Sequence, residues 1–75
     1  MTLDRDDFAV LVKIVRHQLE MSQEELAYAL GVSFATVNRW ENAKTTPSRL
    51  ARRQFDEFCT KMTRAGRLSP KDCQG

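Results

Sequence analysis

Phe8, Leu11, Val12, Val15 and Leu19 recur at intervals of three and four, which lays them in one apolar stripe on a helix of about residues 5 to 19. Asp4, Asp6 and Asp7 stand at its start, where carboxylates cap free backbone N–H groups and meet the positive end of the helix dipole. Ser22-Gln23-Glu24-Glu25 then has the spacing of a capping box, so a second helix starts at Gln23. Leu26, Ala27 and Leu30 form its buried side, and Gly31 can take the left-handed conformation that closes it. A helix of about two turns is too short to persist alone and must pack on neighbours.

Ser33 supplies the next N-cap and Phe34 the first residue of a third helix. Two short helices joined through a glycine-bearing turn make a helix-turn-helix unit, spanning residues 22–42. In the third helix Val37, Trp40 and Glu41 share one face, and Phe34, Ala35, Asn38, Arg39 and Asn42 share the other. After a loop, Thr46-Pro47 reads as the N-cap and first residue of a fourth helix, because proline is preorganised for that position. Ala51, Phe55, Phe58, Cys59 and Met62 continue it at helical spacing to about residue 63, and Gly66 ends it. The expected organisation is one domain over residues 1–64 and a flexible tail over 65–75 with no apolar periodicity.

With 75 residues, three glycines and two prolines, the chain suits one small helical domain of modest stability. Cys59 and Cys73 are too few for a disulfide scaffold and lack zinc-ligand spacing, which points to a reducing, cytoplasmic home. The acidic start and the short apolar run at 8–12 give no expectation of export or membrane anchoring. The net charge of +2 conceals an asymmetry: residues 1–32 carry three Lys and Arg against six Asp and Glu, and residues 33–75 carry nine against four. A basic second half suits a polyanionic partner, although a solvated basic helix face has the same composition.

SQEELAYALGVSFATVNRWENAK, residues 22–44, closely resembles the helix-turn-helix of the Cro and phage-repressor family, the xenobiotic-response-element family. A looser likeness runs from the first helix to about Met62. The resemblance implies an all-α, compact four-helix, lambda-repressor-like DNA-binding domain. Many members add a fifth helix that helps dimerisation, for which residues 65–75 offer no convincing candidate. It further implies a sequence-specific regulator of prokaryotic or phage type, repressor-like, whose recognition helix over residues 33–42 enters the major groove of double-stranded DNA. The expected site is an inverted-repeat operator bound by a homodimer. An antitoxin or a restriction-modification controller, with a toxin or another regulator as protein partner, would carry the same sequence features, as would a protein-protein interaction module that leaves the polar face merely solvated.

By the same resemblance, Phe34, Ala35 and Arg39 match base-reading positions, and Ser33 and Asn38 match positions that contact bases or nearby phosphates. Arg39 can pair bidentately with guanine, and Phe34 and Ala35 can pack on a thymine methyl; Phe34 packed against the second helix is an equal alternative. Ser22, Gln23, Asn42, Lys44, Thr46 and Arg49 match phosphate-contacting positions, and helix N-termini attract anions independently of any family. The family also pairs the glutamate at Glu41 with an arginine at the position of Arg16. Where Ala43 stands the family usually has glycine, so a positive φ there would carry strain. Arg52 and Arg53 read as solvated residues or as further phosphate contacts. Trp40 reads as core, not as a base-stacking platform. His17 is the sole histidine, and no nucleophile set, metal cluster or glycine-rich phosphate loop accompanies it, so neither an enzyme nor a cofactor is expected.

Overall fold

The computed structural model describes residues 4–68. Within them the chain is all helical: α1 Arg5–Gln18, α2 Gln23–Leu30, α3 Phe34–Glu41 and α4 Arg49–Arg64. Each helix starts on a short polar side chain that accepts from the backbone three residues on. Asp4, Ser22 and Ser33 take this part for α1, α2 and α3, as their sequence context predicts. The start of α4 differs from expectation. Ser48, not Thr46, is the cap, with its Oγ accepting from the Ala51 N–H at 3.1 Å, and Pro47 lies outside the helix. Both Thr46 and Ser48 are capping types two residues apart, and the hydroxyl that meets an unpaired N–H decides between them.

All four helices close with the same pair of reversed hydrogen bonds. Met21 to Arg16, Val32 to Ala27, Lys44 to Arg39 and Arg67 to Met62 are the outer bonds, each N–H donating to a carbonyl five residues back, and each encloses a second, shorter one. The residue inside each turn takes positive φ: Glu20 at 55°, Gly31 at 74°, Ala43 at 56° and Gly66 at 77°. This is the Schellman arrangement, in which glycine avoids the clash that a Cβ meets in the left-handed region. Ala43 adopts the strained conformation its sequence position raised, and the reversal keeps the helix-turn-loop path intact. Glu20 does the same without a glycine-like signal in the sequence.

The core gathers Phe8, Leu11, Val12, Val15 and Leu19 from α1, Leu26, Ala27 and Leu30 from α2, Val37 and Trp40 from α3, and Phe55 and Cys59 from α4. Phe8 is central, edge-on to both Trp40 at 5.4 Å and Phe55 at 5.3 Å between ring centroids, a favoured aromatic geometry. Leu68 is also buried in this cluster, so packing continues past the expected boundary at residue 64. The remainder of the expected tail, with Cys73, lies outside the described residues. Helix α3 packs on α1 and α2, and α4 packs on α2, so α3 is held from two sides.

Candidate nucleic-acid interface

Ser22 and Glu25 make a complete capping box. The Ser22 Oγ accepts from the Glu25 N–H at 3.1 Å and the Glu25 Oε1 accepts from the Ser22 N–H at 2.8 Å. The Ser22 backbone and hydroxyl donors hold the Glu25 carboxyl below the usual carboxylate range, as hydrogen bonds to a charged form do. The box leaves the N–H groups of Gln23 and Glu24 without intrahelical partners at the positive end of the α2 dipole, a place where an oxygen anion is favoured.

Helix α3 presents the other half. Val37 and Trp40 are buried, whereas Phe34, Ala35 and Arg39 are exposed together on the opposite side. Phe34 keeps 48% of its surface exposed, so burial against α2 does not account for it. Ser33 is engaged locally, accepting from the Thr36 N–H and lying 2.8 Å from the Thr36 hydroxyl. Asn38 is half-buried, and its Nδ2 donates to the Gln23 Oε1 across the turn at 3.2 Å. Asn42 donates from Nδ2 to the Asn38 carbonyl at 2.8 Å and to the Asn38 Oδ1 at 3.1 Å. The side chains of Gln23, Asn38 and Asn42 thus form one chain along the edge of the helix pair, which requires a turn geometry that sequence spacing does not reveal.

Charge separates the cations into two groups. Arg39, Lys44 and Arg49 are exposed and make no ion pair among the described residues. Arg52 pairs with Asp56 at 2.9 Å and lies over the Phe8 ring at 5.2 Å, and Arg53 pairs with Glu57 at 3.3 Å. The first group retains its charge for an outside partner; the second is largely compensated. Thr46 is exposed in the loop before Ser48. Arg5 is a participant that sequence reasoning missed, its Nη1 donating to the Lys44 carbonyl at 3.4 Å. Its helix 1 position carries no signal for a contact with the loop after α3.

Arg16 and Glu41 meet as expected, through Nε to Oε2 at 2.7 Å and Nη2 to Oε1 at 3.0 Å. The Arg16 guanidinium also donates to the Met21 carbonyl at 3.2 Å. The Glu41 hydrogen bond raises the Arg16 pKa against the opposing effect of desolvation. This fork fixes the inner side of α3 while its outer side remains free.

Residues 12–50 match the helix-turn-helix family, just over half of the chain. The chain belongs to the helix-turn-helix family, in its Cro and repressor branch. This helix-turn-helix domain is a DNA-binding module. It is 43% identical over 47 residues to the type II methyltransferase M1.ScrFI of Lactococcus lactis subsp. cremoris, a match covering 59% of this chain and 12% of the methyltransferase. No solved structure matches the helix-turn-helix chain. Among its described residues no helix is long and apolar enough to cross a membrane.

Proposed function

We propose that this helix-turn-helix domain is a sequence-specific regulator of repressor type, which sets residues 33–42 in the major groove and blocks promoter DNA by occupancy. The carrying observation is the pairing of an exposed Phe34, Ala35 and Arg39 surface on α3 with the open N-terminus of α2 beside it. One feature reads base edges and the other grips backbone, the division of labour that duplex recognition needs. Gln23, Lys44, Thr46 and Arg49 serve the backbone contacts, and Ser22, whose donors are turned to Glu25, shapes the helix end beside them. Asn42 is placed at the rim of this grip, but its backbone N–H and its Nδ2 both donate to Asn38, so it reaches a phosphate only by giving up one of those bonds. The domain works by binding and not by catalysis, in the cytoplasm, and two copies on an inverted repeat supply the affinity that one small interface lacks.

Similarity to a type II methyltransferase supports a more specific version, in which the regulated genes belong to a restriction-modification system. Selection of bound sequences from a random duplex pool tests both. A palindromic consensus with half-sites about one helical turn apart supports the dimeric regulator. Recovery of no consensus, from folded protein at low salt, refutes sequence-specific recognition.

A further inference from the structure

We infer that Asn38 is a positioning residue for the phosphate grip of Gln23, and not itself a reader of bases. The inference rests on the DNA-binding reading above. A carboxamide has one donor end and one acceptor end, so a chain of them has a direction. Here a backbone group sets that direction. The Asn38 carbonyl can only accept, so the Asn42 side chain must present its Nδ2 to it at 2.8 Å. The same nitrogen lies 3.1 Å from the Asn38 Oδ1, which fixes the acceptor end of Asn38 toward Asn42. The Asn38 Nδ2 is thereby turned to the Gln23 Oε1 at 3.2 Å.

Gln23 is the last member of this chain, and its Nε2 has no partner among the described residues. With its oxygen held by Asn38, the end left for an outside group is the two-hydrogen donor. That is the end a phosphate oxygen accepts from, and it lies at the N-terminus of α2, where the Gln23 and Glu24 N–H groups are also open. Without Asn38 the Gln23 side chain rotates freely, and half of its amide orientations turn an oxygen toward the anion. Asn38 in turn has both ends of its amide engaged and is half-buried, which leaves it poorly disposed to a base edge.

A double-mutant cycle distinguishes positioning from direct contact. Binding of wild type, Asn38→Ala, Gln23→Ala and the double variant would be measured by fluorescence anisotropy on a mixed-sequence duplex and on a duplex selected for binding, with folding checked by circular dichroism. Asn38→Ala is expected to weaken binding roughly three- to tenfold on both duplexes, the scale of ordering one side chain, and to have no further effect once Gln23 is alanine. In the free protein, the Gln23 side-chain amide proton signals should move toward those of an unrestrained glutamine in Asn38→Ala, with the backbone spectrum otherwise retained. Independent, additive losses, or a loss confined to one base pair, overturn the relay while leaving DNA binding intact. Failure of wild type to bind any duplex at low salt overturns the DNA reading and the relay with it.

Discussion

Arg16 of α1 grips Glu41 of α3 through two parallel hydrogen bonds, with the Glu41 side chain only 3% exposed. The pair spans 25 residues of sequence and joins the first helix to the inner face of α3. Removing one partner strands a carboxylate in the core. Arg16→Ala should therefore lower stability by about 3 kcal/mol, a large part of the roughly 5 kcal/mol available to so small a domain. Urea unfolding followed by circular dichroism measures this. Arg16→Met combined with Glu41→Leu should recover much of the loss, since no charge is then left unpaired. A single variant as stable as wild type would contradict the tie.

Ala43 closes α3 at a φ of 56°, in the region where a Cβ is penalised. Ala43→Gly should raise stability by about 0.5–1 kcal/mol, read as a higher urea midpoint with an unchanged slope. Glu20→Gly, at a φ of 55°, should act in the same direction. A lower midpoint for both variants would show that these turns are not strained.

The Glu25 carboxyl sits below its ordinary value because the Ser22 backbone and hydroxyl donate to it. A value lower in the folded than in the unfolded chain means that protons favour unfolding. The capping contribution is complete above the ordinary carboxylate range and is lost as pH falls through the lowered value. Glu25→Gln, which still accepts from the Ser22 N–H, should flatten this part of the acid limb in a pH series of urea midpoints. Parallel profiles for the two proteins would argue against the box as a source of pH dependence.

Two cations on one surface should fail in different ways. Arg39→Ala should lose about 1–3 kcal/mol of discrimination at one base pair per half-site while retaining non-specific binding. Lys44→Ala should instead weaken binding on every sequence and reduce the slope of log affinity against log salt by about one. The same pattern from both substitutions would reassign Arg39 to the backbone.

The features visible in the sequence are those that neighbouring residues determine. Ser22 with Glu25, Ser33 before Phe34, and Gly31 between them each act over five residues or fewer, so their types alone mark where α2 begins and ends and where α3 begins. The apolar stripe from Phe8 to Leu19 and the pairing of Val37 with Trp40 are legible for the same reason, through helical periodicity. What escaped depends on the assembled turn. The N-cap of α4 moved from Thr46 to Ser48 because two equivalent hydroxyls compete for one set of N–H groups. Leu68 offered no pattern, being a single apolar residue beyond a helix end. Glu20 carries no mark of its left-handed backbone, and the bond from Asn38 to Gln23 exists only once α3 has folded back beside α2.

Trp40, the chain's one tryptophan, is 2% exposed and lies edge-on to Phe8 on the inner side of α3. The helix proposed to face DNA thus carries its own optical probe, on the side opposite Phe34 and Arg39. Its emission follows how well α3 is seated on the core, separately from what its outer face touches. A red shift on titration with DNA would signal that the helix is being prised from its seat, whereas simple docking leaves the indole in the same dry surroundings.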